Sequence, residues 1–125
     1  TDRYTTSNAV HQTVKCPPQE RGNFLRWLDD FEHTKLGLPR PDLVLYLDMP
    51  TQQAVSLLRR RETDTHTHAD IHEVDTAYLA ACRECALQAA GLLNWKVISC
   101  VDAQGQLRTV EDIHQEVWSL AAPLL

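Results

Sequence analysis

The sequence has no surplus of positive charge, no apolar run long enough to cross a bilayer, no internal repeat and no low-complexity tract. Each absence removes a class of function. Seventeen acidic against twelve basic residues leave a formal net charge of −5. That balance argues against a general DNA or RNA binder, because such binding is driven by neutralising phosphates over a basic face. A small anionic ligand is still compatible with it, since a few local arginines suffice to hold one. The longest apolar stretches fall short of the roughly 20 residues that span a membrane. The four cysteines, Cys16, Cys82, Cys85 and Cys100, are scattered, and no signal-peptide pattern precedes them, so they read as reduced thiols of a soluble, cytoplasmic protein. The remainder, 125 residues of which 43% are apolar, is enough for one core and one domain. The chain opens Thr1-Asp2-Arg3-Tyr4, without methionine, and reads as part of a longer sequence.

Periodicity divides the chain into alternating helices and strands. A polar opening leads into a short helix from about residue 9 to 14, stopped by Cys16-Pro17-Pro18. Phe24, Leu25, Trp27, Leu28 and Phe31 recur at spacings of three and four, which predicts an amphipathic helix over residues 19–34 with one inward stripe. Asp42 to Asp48 is almost continuously apolar and is closed by Pro50, as expected of a buried parallel strand. Thr51 is the expected N-cap of a helix running into Arg59-Arg60-Arg61. Residues 62–70 are polar and read as a surface segment. A long helix over residues 71–93 follows, with Tyr78, Leu79, Cys82, Ala86, Ala89, Ala90 and Leu93 inward. Residues 95–101 form a second strand, and a last helix starts at Thr109, with Asp112 at its third position. Trp27, Phe31, Trp95 and Trp118 are expected in the core. The order implies an α/β fold with parallel strands flanked by helices. Two strands are too few for such a sheet, so further N-terminal strands are expected.

Three stretches carry a resemblance in the same order along the chain. Asp2-Arg3-Tyr4, with Ser7, Asn8, Ala9 and Gln12 after it, resembles the Asp-Arg-Tyr/Phe motif of thymidylate kinases. Gly37-Leu38-Pro39-Arg40-Pro41-Asp42-Leu43-Val44-Leu45-Tyr46-Leu47 is similar to that family's Pro-Asp-Leu strand. Asn94-Trp95-Lys96-Val97, followed by Asp102 and then Val110-Glu111-Asp112-Ile113-His114, resembles its last strand and helix. The resemblance implies the C-terminal part of a single P-loop nucleoside monophosphate kinase domain over residues 1–125, with a lid at about 62–70. The implied activity is transfer of the γ-phosphoryl of ATP to dTMP, giving dTDP. It also implies Mg2+ with ATP and a cytoplasmic homodimer. No Gly-x-x-x-x-Gly-Lys-Ser/Thr loop occurs in the sequence, so these 125 residues by themselves are expected to be inactive.

The chemistry of the first motif agrees with that reading. Phosphoryl transfer gathers several negative oxygens, and an arginine fork between donor and acceptor phosphates offsets their repulsion. Arg3 suits this role, and Asp2 suits indirect placement of the magnesium ion. An Asp-Arg pair at the carboxyl end of a strand would also stand where open α/β sheets bind ligands. The resemblance assigns Ser7, Asn8 and Gln12 to the dTMP base and sugar. His11 departs from the tyrosine that many members place against the deoxyribose, and it leaves discrimination against a 2′-hydroxyl less strict. On the ATP side the resemblance implies Asp102 and one arginine of the triple, for which Arg61 is chosen as nearest the lid. No Lys or Arg lies between Glu62 and Cys82, so the transition-state cation that some members carry in the lid must come from elsewhere.

His66, His68 and His72 with Cys82 and Cys85 are zinc-ligand types. The two cysteines, however, continue a helix's apolar stripe and read as small core hydrophobes. Other readings are a kinase for a different deoxynucleoside monophosphate, or a non-catalytic nucleotide-binding or dimerisation module.

Overall fold

The computed structural model describes residues 1–65 and 75–125. Helix α1 (Thr6–His11) runs into single 3-10 turns at Thr13–Lys15 and Pro18–Glu20, and α2 (Arg21–Asp29) follows. Strand β1 is Leu45–Asp48, and helices α3 (Thr51–Thr65) and α4 (Thr76–Leu93) follow it. Strand β2 (Lys96–Ser99) and helix α5 (Val110–Ala121) complete the chain. The strands are parallel, with Leu45 opposite Lys96, Tyr46 opposite Val97, Leu47 opposite Ile98 and Asp48 opposite Ser99. The described residues thus form an α/β unit whose two-stranded parallel sheet is flanked by helices, the order that the periodicity predicts.

Local chemistry sets most of the boundaries. Thr109 caps α5 by accepting from the Asp112 amide at 3.1 Å, and Asp75 caps α4 by accepting from the Tyr78 amide at 3.0 Å. Asn94 ends α4 at a φ of 60°, in the left-handed region that asparagine tolerates. Several boundaries differ from expectation: α1 occupies Thr6–His11 and not residues 9–14, and α4 starts at Thr76, after its extended Asp75 cap, and not at residue 71. The Pro50 carbonyl accepts the Ala54 amide at 3.0 Å, so Pro50 and not Thr51 holds the cap position of α3. Helix α3 also continues past the arginine triple to Thr65, because Glu62-Thr63-Asp64-Thr65 contains no Gly or Pro to break it. The remainder of the expected lid, the first residues of the expected long helix, and His66, His68 and His72 lie outside the described residues.

The core gathers Ala9 of α1, Leu25 and Leu28 of α2 and Ala89 of α4, with Phe24, Leu92, Leu93 and Trp95 packed around them. Cys85, Ala86, Ala89 and Ala90 are the buried line of α4, and their small side chains let neighbouring helices approach. Tyr78, expected on the same side, is exposed.

The expected stripe of α2 is the largest correction. At about 100° per residue, Arg21, Leu25, Leu28 and Glu32 fall on one line, and these four are the buried ones. Trp27 and Phe31 lie on the flank of the apolar arc. Trp27 is 55% exposed and stacks on Phe31 at a centroid distance of 5.2 Å. Beyond Asp29 the helix widens into a π-helical stretch (Asp30–Lys35), where the Leu36 amide reaches the Phe31 carbonyl at 2.9 Å. Trp118 is also exposed, and Trp95 is half-buried. Leu47 is 50% exposed, so β1 is parallel but not buried. A parallel strand is covered on both faces only when helices or further strands lie against it, and among the described residues β1 has one strand neighbour.

Candidate functional site

Thr1–Tyr4 precede α1 in an irregular conformation, so Asp2 and Arg3 do not stand at the end of a strand within this chain. Two hydrogen bonds of the flanking residues hold the segment instead. The Thr1 hydroxyl donates to the Arg3 carbonyl at 2.8 Å, and the Tyr4 hydroxyl donates to the Pro39 carbonyl at 2.9 Å. Pro39 belongs to the loop between α2 and β1. In that loop, Arg40 forks onto Asp29 with Nη1–Oδ1 at 2.9 Å and Nη2–Oδ2 at 3.0 Å. This contact raises the Arg40 pKa further above its ordinary value.

Asp2 and Arg3 are exposed and line a cleft of about 780 Å³ between this loop and the C-terminal residues, with Tyr4, Arg40 and Asp42 also on its wall. Arg3 therefore presents its guanidinium where a ligand can reach it. Beside this segment, α1 repeats a polar side chain every four residues. Ser7 is followed by His11 and Asn8 by Gln12, which places all four on adjacent rows of one helix face. Asn8, His11 and Gln12 are exposed and Ser7 is half-buried, while Ala9 turns to the core.

Of the expected site residues only Asp2 and Arg3 line this cleft; Ser7, Asn8, His11, Gln12, Arg61 and Asp102 do not. Arg61 is exposed near the far end of α3. The Asp102 Oδ1 accepts the amides of Gln104 and Gln106, both at 2.9 Å, and so builds the turn after β2. Gly105 completes this turn at a φ of 79°, and its carbonyl accepts Gln53 Nε2 of α3 at 3.2 Å.

A second polar group was not legible in the sequence. Arg83 of α4 donates from Nε to Asp48 Oδ1 at 2.7 Å and from Nη2 to Oδ2 at 3.0 Å. Asp48 ends β1, at the edge where α/β sheets bind ligands, but both of its oxygens are engaged. The hydrogen bond to Asp48 pushes the Arg83 pKa upward. Tyr46, two residues earlier, has its phenol pushed up by burial and then by the Asp48 charge, with Arg83 acting in the opposite sense.

A smaller cavity of about 300 Å³ lies under α1 and α2. Glu32 lines it, and Glu32 Oε2 is buried without a hydrogen-bond partner among the described residues. The described residues hold no group of three or more His, Cys, Asp or Glu side chains that could bind a metal. The four cysteines are free thiols, and burial raises the pKa of Cys85 and Cys100. No described helix is long and apolar enough to cross a membrane.

Comparison with known proteins supplies one independent signal. Thymidylate kinases of two Mycobacterium tuberculosis strains, CDC 1551 and H37Rv, are each 31% identical to the chain over 75 residues. That stretch is 59% of this chain and 35% of each relative, so it spans about a third of the length of the curated relatives. No protein-family profile and no solved structure matches the chain. A nucleoside monophosphate kinase is therefore what part of this sequence is similar to, and thymidylate kinase is the particular relative.

Proposed function

We propose that this chain is part of a thymidylate kinase and contributes the acceptor side of the site that transfers the γ-phosphoryl of ATP to dTMP, giving dTDP. One feature supports the reading above all: the exposed Arg3, on the wall of the cleft and tied down through Tyr4 to Pro39, comes in the chain just before the helix that carries Ser7, Asn8 and His11, with Gln12 at its end. An anion-binding fork beside hydroxyl, amide and imidazole groups suits a nucleoside monophosphate, with the phosphate on Arg3 and the base and sugar along α1. The similarity to the mycobacterial enzymes points the same way.

In this proposal Arg3 bridges the donor and acceptor phosphates as charge develops on the transferred group. Asp2 offers one exposed carboxylate. Mg2+ takes most of its ligands from water and phosphate, so a single carboxylate fits a water-mediated contact, and magnesium would supply charge neutralisation of the ATP oxygens. Arg61 and Asp102 are proposed on the ATP side, and a cytoplasmic homodimer is proposed as the working form. Nothing in these 125 residues supplies a Gly-x-x-x-x-Gly-Lys-Ser/Thr loop, so turnover requires one from outside them.

The test is phosphoryl transfer by the polypeptide expressed from the complete reading frame, with dTMP, dUMP, UMP and dGMP as acceptors. The expected result is that dTMP is fastest and that Arg3→Ala lowers its rate roughly a hundredfold, the usual loss for one transition-state contact, with the fold intact by circular dichroism. A variant keeping more than about a tenth of the rate excludes the role of Arg3. A rate with dGMP above that with dTMP excludes the acceptor assignment.

A further inference from the structure

The cavity of about 300 Å³ under α1 and α2 is lined by residues 41–44, which lead into β1, and by residues 94–96, which lead into β2. It therefore lies at the amino ends of the strands, away from the carboxyl edge where Asp48 and Ser99 end them. Thr6 and residues 40–44 also line the cleft of Arg3, so the two spaces share a wall. We propose that this cavity binds a small organic cation, a primary ammonium on an apolar body, through Glu32 and Thr5. The inference stands independently of the kinase reading.

Three observations carry it. Glu32 is 6% exposed, and its Oε2 is buried without a hydrogen-bond partner among the described residues. Thr5, just ahead of α1, lines the same cavity, and its Oγ1 is likewise buried and unpartnered. A buried carboxylate or hydroxyl without a partner is costly, so both groups favour a ligand that donates hydrogen bonds. The last torsion of Glu32 has only a shallow preference, which lets the carboxylate turn toward such a donor at little cost.

The neighbouring charges leave this need unmet. Arg40 is forked onto Asp29, and Lys96 is exposed. The His33 side chain is 7% exposed, and its Nδ1 lies 3.0 Å from the Leu38 carbonyl. A carbonyl can only accept, so Nδ1 holds the proton and Nε2 of the neutral ring is a further acceptor on this wall. An ammonium group offers three donors and a full positive charge to such a set.

Apolar side chains make up much of the remaining wall. Ala9, Leu25 and Leu28 are buried there, with Leu93 and Trp95 beside them. A few polar groups among apolar walls are the usual make-up of a small-molecule site, and the volume matches the smaller of such sites. Among the described residues no group of three or more His, Cys, Asp or Glu could hold a metal, so the cation that fits is organic.

The test titrates benzylammonium into the isotope-labelled protein from the complete reading frame at neutral pH and follows its amide shifts. Benzyl alcohol is the uncharged control and benzoate the anionic one. Benzylammonium should bind with a Kd of about 1 mM, a usual affinity for so small a ligand, with shifts centred on Ala9, Leu25, Glu32 and Val44. Benzyl alcohol should bind about tenfold more weakly and benzoate not at all. Glu32→Gln keeps the shape and removes the charge. It should weaken benzylammonium about tenfold while melting no lower than the wild type, because it removes an unpaired buried charge. Thr5→Val should weaken binding about threefold. Equal affinity for benzylammonium and benzyl alcohol overturns the cation assignment, and unchanged binding to Glu32→Gln overturns the site. A lower melting temperature in Glu32→Gln, or no shifts up to about 20 mM benzylammonium, means that water or another part of the protein already answers Glu32, and either result overturns the proposal.

Discussion

Tyr4 and Pro39, thirty-five positions apart in the chain, meet through a hydrogen bond from the phenol to the carbonyl at 2.9 Å, which ties the Asp2-Arg3 segment to the loop that enters β1. Removing the hydroxyl tests how far that bond holds the segment. Tyr4→Phe should cost about 0.5 to 1 kcal/mol in urea denaturation, the net value of one hydrogen bond near the surface. In the active protein it should lower the phosphoryl-transfer rate less than Arg3→Ala does. A loss equal to that of Arg3→Ala would mean that Tyr4 takes part in the chemistry itself.

Leu25 and Trp27 give a contrast within one helix. Leu25 is fully buried and Trp27 is 55% exposed. Leu25→Ala should destabilise by about 2 to 5 kcal/mol, from lost transfer energy and the cavity left behind. Trp27→Ala should cost about 1 kcal/mol, chiefly its stacking on Phe31. Chemical denaturation of both variants checks this, and a larger loss at Trp27 than at Leu25 would show that the flank is covered in solution.

The thiols should react in two groups. Cys85 and Cys100 are buried, and that burial raises their pKa, which keeps them as unreactive thiols at neutral pH. Cys16 and Cys82 are half-buried. A disulfide reagent such as DTNB should therefore label Cys16 and Cys82 first and reach the other pair only on unfolding, with mass spectrometry of the labelled peptides as the readout.

Arg108 gathers the start of α5. It donates from Nε to Asp112 at 2.7 Å, and from Nη1 to Glu116 at 2.6 Å and to the Ser99 carbonyl at 2.7 Å. The hydrogen bond from Arg108 lowers the Asp112 pKa below its ordinary value. A depressed carboxylate stabilises the fold above its unfolded pKa, and that contribution is lost as pH falls through the folded one. Thermal stability should therefore decline below about pH 4, and Asp112→Asn should make that acid limb shallower. An identical limb in the variant would exclude Asp112 as its source.

His11 sits exposed on the face assigned to the nucleotide. His11→Tyr should lower the rate with UMP relative to dUMP, because a larger ring leaves less room for a 2′-hydroxyl. An unchanged ratio would remove His11 from the sugar contact while leaving the base assignment intact.

The sequence by itself determined the element order, the parallel pairing, the end of α4 and both ends of α5, because these follow from period, caps and breakers acting within a few residues. The Thr109 cap, the α4 stripe of small residues and the apolar strand before Pro50 are all local signals. The helix face carrying Ser7, Asn8, His11 and Gln12 was not legible, since periodicity starts that helix at about residue 9 and leaves Ser7 and Asn8 in the polar opening, whereas α1 is Thr6–His11. Tertiary structure decided which part of an apolar arc meets the core. Arg21 and Glu32 occupy the buried line of α2 while Trp27 and Phe31 lie outside it, because residue type reports a preference for burial and packing partners decide its direction. It also decided that Arg83 answers Asp48 and that Tyr4 answers Pro39. Each of these pairs joins residues thirty-five positions apart, and no local rule selects one arginine or one carbonyl from the rest before the chain is folded.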